Sequence, residues 1–88
     1  MKKADYTAQI IQDLENRAKD CDNNYNAFHA EWERLMAKCK TLVEEGHTIM
    51  SKVMLDNTES RHATFERMVE FDEEHKAIAS AILAIQAK

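Results

Sequence analysis

A heptad pattern of apolar residues is the feature that most restricts the fold of this 88-residue chain. Steps of three and four residues alternate without a slip from Ile11 to Val53, and no position in the series is polar or charged. The positions are Ile11, Leu14, Ala18, Cys21, Tyr25, Phe28, Trp32, Leu35, Cys39, Leu42, Gly46, Ile49 and Val53. A 3.5-residue repeat of this length is typical of a helix that packs against other helices as in a coiled coil. The sequence therefore predicts an all-α protein.

Composition limits the chain to one small helical domain, residues 1–88. It has no proline and one glycine, so few positions favour a turn. Because 44% of its residues are hydrophobic and 32% are charged, it has enough apolar surface to fold. The net charge of −4 comes from acids and bases mixed along the chain, without the basic face of a nucleic-acid-binding protein. Nucleic acid is therefore not an expected partner.

The phase of the heptad pattern changes after Val53, where the same register would turn Asp56 and Arg67 inward. A shift of one residue restores an apolar stripe, which Phe65, Val69 and Ala79 widen. That stripe contains Met68, Phe71, His75, Ile78, Ile82 and Ile85. Asp56 and Glu59 have the spacing of a helix-capping box. The sequence therefore predicts helices over about 4–55 and 58–87.

Two architectures remain open because of residues 20–24, which are five weak helix formers in a row. A turn there gives a three-helix bundle. A helix that continues through them gives a long antiparallel helical hairpin, in which about 20 residues of the first helix extend past the second at 1.5 Å per residue. Ile11 and Leu14 would then need cover from another chain, which predicts a homodimer.

The predicted function is that of a non-enzymatic protein–protein interaction module, which acts through helix packing. Adaptors, assembly subunits, chaperones and inhibitors of protein machines all fit this description. The candidate interaction residues are Ile11, Leu14, Tyr25, Phe28, Trp32 and Leu35. The partners expected are a second copy of the chain and another protein.

A metal-binding four-helix assembly of two hairpins is the alternative. Three carboxylates each precede a histidine by three residues, which is the Glu-x-x-His spacing of di-metal helical bundles. These pairs are Glu44 with His47, Glu59 with His62, and Asp72 with His75. The candidate ligands are Asp72, His75, His62 and His47.

An enzyme is not predicted, and neither is a cofactor. Cys21 and Cys39 belong to the apolar stripe, whereas a reactive thiolate needs an electropositive and accessible setting. The N-terminus lacks the apolar stretch of a signal peptide. The longest nearly apolar run, 77–85, is about half of what spans a bilayer. A cytoplasmic location without membrane association is expected.

Overall fold

The computed structural model describes residues 6–87, which form two helices joined by one turn. Helix α1 spans Thr7–Glu44 and helix α2 spans Lys52–Gln86, and the two pack against each other as an extended hairpin. The all-helical class and the hairpin are thus confirmed. Helix α1 continues through residues 20–24, so the three-helix alternative is wrong. The predicted helix start at residue 4 lies outside the described residues.

The turn occupies residues 45–51, and its second residue is the chain's one glycine. Gly46 has a φ of 88°, which is the left-handed conformation that glycine adopts at low cost. The amide of Gly46 donates to the carbonyl of Val43, and the amide of His47 donates to the carbonyl of Leu42, both at 3.0 Å. These two bonds form a Schellman motif, which satisfies carbonyls that the end of α1 would otherwise leave unpaired.

The predicted helix boundary at residues 55–58 is wrong. Asp56 and Asn57 lie inside α2, which begins at Lys52 after Ser51. The hydroxyl of Ser51 donates a hydrogen bond of 2.9 Å to the carbonyl of Thr48 and so closes the turn. The polar residues that suggested a cap therefore belong to the helix, and the turn lies about ten residues earlier.

The inner stripe of α1 follows the predicted pattern as far as Leu42. All ten heptad positions from Ile11 to Leu42 are buried or half-buried. Beyond Leu42 the prediction fails, because Gly46 and Ile49 belong to the turn and the side chain of Ile49 is 77% exposed. Val53 lies at the edge of α2 and is exposed.

The inner stripe of α2 has its own unbroken heptad register over ten positions. It contains Met54, Asn57, Arg61, Thr64, Met68, Phe71, His75, Ile78, Ile82 and Ile85, all buried or half-buried. The last six positions match the predicted second stripe. Three of the first four positions are polar, so apolar periodicity does not reveal them. Phe65, Val69 and Ala79 were expected to widen the stripe, but they are exposed.

The two helices have nearly equal lengths of 38 and 35 residues, so the predicted overhang of α1 is wrong. Ile11 and Leu14 are half-buried alongside the C-terminal half of α2. The core between two helices is nonetheless thin. Among the described residues no side chain is less than 2% exposed, and Met54, at 3%, is the most buried. Neither helix, within residues 6–87, has an apolar stretch long enough to cross a membrane.

Candidate interaction surface

One broad side of the hairpin carries exposed aromatic and aliphatic side chains. We call it the aromatic face, and it comprises Tyr25, His29, Trp32, Met36, Phe65 and Val69. On α1 the face consists of two inner-stripe residues, Tyr25 and Trp32, and of the residues four positions after them, His29 and Met36. On α2 it consists of Phe65 and Val69, each of which directly follows an inner-stripe residue. The two edges meet across the groove between the helices, because Tyr25 and Phe65 line one shared depression and Trp32 and Phe65 line the next.

The rings on the α1 side of this face contact one another in series: His29 stacks on Tyr25 and is tilted by 33° against Trp32. The ring centroids of Tyr25 and His29 are 6.1 Å apart with an angle of 18° between the planes, and those of His29 and Trp32 are 6.3 Å apart. Across the groove, the side chain of Phe65 is 50% exposed and that of Val69 is 39% exposed. Aromatic side chains that are preorganised and half-exposed are typical of protein contact sites.

The end of the aromatic face nearest the open end of the hairpin is charged. Asp22 and Asp72 line a depression there together with His75 and the thiol of Cys21. The carboxylate of Asp72 pairs with the ammonium of Lys76 at 3.0 Å. Burial raises the pKa of Cys21, and the neighbouring charge of Glu74 raises it further. The thiol therefore stays protonated at neutral pH and is a weak nucleophile.

The opposite side of the hairpin is the ion-paired face, which contains Arg17, Arg67, Glu70 and Glu74. The guanidinium of Arg17 reaches across the helices to the carboxylate of Glu74 at 3.6 Å. Arg67 pairs with Glu70 at 3.0 Å. Its guanidinium also lies 5.8 Å from the ring centroid of Phe28, which stacks on the ring of Phe71 in the core. Charged groups that satisfy one another in this way are typical of a solvated surface.

Arg61 is a half-buried cation beside the aromatic face. Its Nε donates to Oδ1 of Asn57 at 2.8 Å, and its Nη2 donates to Oγ1 of Thr58 at 3.1 Å. Its Nη1 lies 3.5 Å from Sδ of Met36. Asn57 is itself buried, and its Nδ2 donates to the carbonyl of Leu35 at 3.1 Å. All of these acceptors are neutral.

No carboxylate in residues 6–87 pairs with Arg61, although each of the other three arginines pairs with one. The pair between Arg34 and Glu31 is close enough that the hydrogen bond from Arg34 lowers the pKa of the Glu31 carboxyl. A guanidinium that is partly removed from water is stabilised by a carboxylate in bidentate geometry. Arg61 therefore offers a docking point for an acidic group.

The six predicted interaction residues divide between the interior and the surface. Leu35 is buried between the helices, and Ile11, Leu14 and Phe28 are half-buried there. The structure brings Tyr25 and Trp32 to the aromatic face. Sequence reasoning did not select Met36, Arg61, Phe65 or Val69 for this surface. Phe65 and Val69 could have indicated this surface, because each is a large apolar residue one position after an inner-stripe residue of α2.

The four predicted metal ligands do not come together within one chain. His47 lies in the turn, and its ring nitrogen is 3.7 Å from the carboxylate of Glu45. His62 pairs with Glu66 at 2.9 Å on the outside of α2. Across the described residues, no three histidine, cysteine or carboxylate side chains are placed to hold a metal ion. The four-helix metal hypothesis therefore requires ligands from a second chain.

The interior of the hairpin also holds its polar atoms in internal bonds. Within residues 6–87 every buried side-chain nitrogen or oxygen has a hydrogen-bond partner. The aromatic face and the unpaired Arg61 beside it are thus the surface features that internal contacts leave unexplained.

No protein-family model matches the chain, and neither a curated protein nor a solved structure is significantly similar to it.

Proposed function

We propose that this chain is a non-enzymatic protein–protein interaction module whose aromatic face packs against helices of its partners. An adaptor, an assembly subunit, a chaperone and an inhibitor of a protein machine would all work in this way. One observation carries the proposal: the large exposed apolar residues of the two helices concentrate on one side. Six of the eight such residues in the described helices lie there, namely Met36, Val43, Leu55, Phe65, Val69 and Leu83, whereas Ile10, seven residues before Arg17, and Val53, seven residues before Ser60, lie on the other side.

The helical repeat places these residues together. Val43 follows Met36 by seven residues, which is two helical turns on the same side of α1. Leu55 precedes Val69 by fourteen residues and Leu83 follows it by fourteen, so they share one side of α2. The pairs Arg17–Glu74 and Arg67–Glu70 lie on the other side. A hairpin that contacted only water would gain nothing from this segregation.

The exposed area also supports a partner. The chain exposes 6854 Å², whereas a compact monomer of 10.2 kDa exposes about 5,300 Å². Its radius of gyration is 20.0 Å, against about 12 Å for a compact domain of this length. The excess of about 1,500 Å² exceeds the roughly 800 Å² that each partner contributes to a standard interface. The excess exposed area is therefore large enough to supply one partner's share of such an interface.

Photo-crosslinking from matched positions tests the proposal in the source cell. A photoreactive phenylalanine analogue at Phe65 lies on the aromatic face, and the same analogue at Ala63 lies in line with Arg67 and Glu70 on the ion-paired face. We expect protein adducts from position 65 and few from position 63. If neither position 65 nor position 36 gives an adduct, the proposal is wrong. The mass of an adduct shows whether the partner is this chain or another.

A further inference from the structure

We propose that the aromatic face binds a second copy of this chain in antiparallel orientation, with the two turns at opposite ends. Phe65 of each copy packs beside Tyr25 of the other, and Arg61 of each copy pairs with Asp72 of the other. The inference rests on the proposed function and names its partner.

The order of residues along α2 is self-complementary. Arg61, Phe65, Val69 and Asp72 present, in turn, a cation, an aromatic ring, an aliphatic side chain and an anion. A two-fold axis perpendicular to the helix reverses this order, so the cation meets the anion and Phe65 meets Val69. The midpoint between 61 and 72 and the midpoint between 65 and 69 differ by half a residue, which is less than about 1 Å along a helix. One axis therefore satisfies both pairs.

Helix α1 independently places the axis at the same level. Tyr25 and Trp32 are centred between residues 28 and 29, so the reversal brings Tyr25 of one copy to Trp32 of the other. The guanidinium of Arg67 lies 5.8 Å from the ring of Phe28. The midpoints of the two helices are thus side by side in the hairpin. An isologous dimer requires this agreement, because one axis must relate both helices at once.

The shape of the aromatic face also fits the antiparallel dimer. Phe65 stands between two depressions, one lined by Tyr25, Met68, Val69 and Asp72 and the other by Trp32, Thr58, Arg61 and His62. The reversal brings the partner's Phe65 over the first depression, where the apolar walls of Tyr25 and Val69 receive the ring. Each copy provides one such ring and one such depression.

Charge excludes the parallel alternative. A two-fold axis along the hairpin would place both turns at one end and would bring Asp22 of one copy against Asp72 of the other. These two aspartates lie at the same level, since both line the depression beside Cys21. Four carboxylates would then crowd together, and like charges across an interface disfavour the complex. The antiparallel arrangement separates them and supplies Arg61 with the carboxylate that it lacks within its own chain.

A charge-reversal cycle on the full chain tests the pairing. The variants are Arg61→Asp, Asp72→Arg and the double variant, and the measurement is the dissociation constant from sedimentation equilibrium at low salt. We expect the wild type to be a dimer of about twice 10.2 kDa. Each single reversal should weaken dimerisation by about tenfold or more, and the double variant should recover most of the loss, because close charge pairs couple strongly across interfaces.

Phe65→Asp and Ala63→Asp form a matched pair that does not disturb Arg61. Both positions are exposed, so the helical circular dichroism should be unchanged. We expect Phe65→Asp to give a monomer and Ala63→Asp to stay a dimer. A monomeric wild type overturns this inference, and so does a double reversal that stays as weak as its single variants. Crosslinks from position 65 to another protein would then leave the proposed function in place. The absence of any crosslink would refute both the antiparallel dimer and the proposed function.

Discussion

The buried amide of Asn57 allows a prediction in which two substitutions at one site have different outcomes. Asn57 makes two hydrogen bonds, to the carbonyl of Leu35 at 3.1 Å and from Nε of Arg61 at 2.8 Å. Each contributes about 1 kcal/mol net to stability. Asn57→Ala loses both and leaves unfilled space between the helices, so we expect the free energy of unfolding to fall by about 2–3 kcal/mol.

Asn57→Leu loses the same two hydrogen bonds but buries a large apolar side chain. Burial of a leucine contributes about 1.5–3 kcal/mol, which offsets the loss. The groups left behind also keep other partners, because the Leu35 carbonyl lies within α1 and the half-buried Arg61 can reach water. We therefore expect Asn57→Leu to lie within about 1 kcal/mol of the wild type.

Urea denaturation followed by circular dichroism at one fixed chain concentration measures both values. The slope of free energy against urea should be the same for the three proteins, which keeps the comparison valid. The reasoning fails if Asn57→Ala is as stable as the wild type, since the two hydrogen bonds would then contribute nothing. It also fails if Asn57→Leu is as unstable as Asn57→Ala, because apolar burial at this position would then have no value.

Three further predictions concern the turn, the thiols and metal. Gly46→Ala should lower the free energy of unfolding by about 1 kcal/mol in urea titrations, because φ is 88° and the cost of a side chain there is backbone strain; an unchanged midpoint would contradict this. Timed alkylation at pH 8 with mass spectrometry should modify Cys21, whose pKa is raised by burial, more slowly than Cys39, and equal rates in the folded protein would refute it. Elemental analysis of protein purified without chelator should find less than about 0.1 metal per chain, because no three potential ligands come together within residues 6–87. A structural site would keep its metal through purification, so one metal per dimer, lost on His75→Ala, would instead favour the four-helix metal assembly.

The inner stripe of α1 was predictable as far as Leu42 because apolar periodicity reports burial directly. The position of the turn was not, since the pattern continued by coincidence through Gly46, Ile49 and Val53. The inner stripe of α2 begins with Met54 and then places polar side chains inward. Asn57 satisfies its Nδ2 with the Leu35 carbonyl of α1 and its Oδ1 with Nε of Arg61. A search for apolar residues cannot find such positions.

The aromatic face was only partly predictable for a related reason. Tyr25 and Trp32 were predicted as interaction residues within the inner stripe, and only the pairing of two helices decides that both stay half-exposed while Leu35 is buried. Phe65 and Val69 were expected in the core because they are apolar. Their exposure depends on the register of α2, which the turn at residues 45–51 sets. Sequence periodicity within one helix contains no information on that register.

The hairpin topology also has a consequence for the order of folding. Contacts near the turn join residues that are close in sequence: Cys39 and Met54 are 15 positions apart, and Leu35 and Asn57 are 22 apart. The contact between Arg17 and Glu74 closes most of the chain and costs more loop entropy. Helix pairing should therefore start beside Gly46 and advance towards the termini, and amide hydrogens at the open end should exchange first.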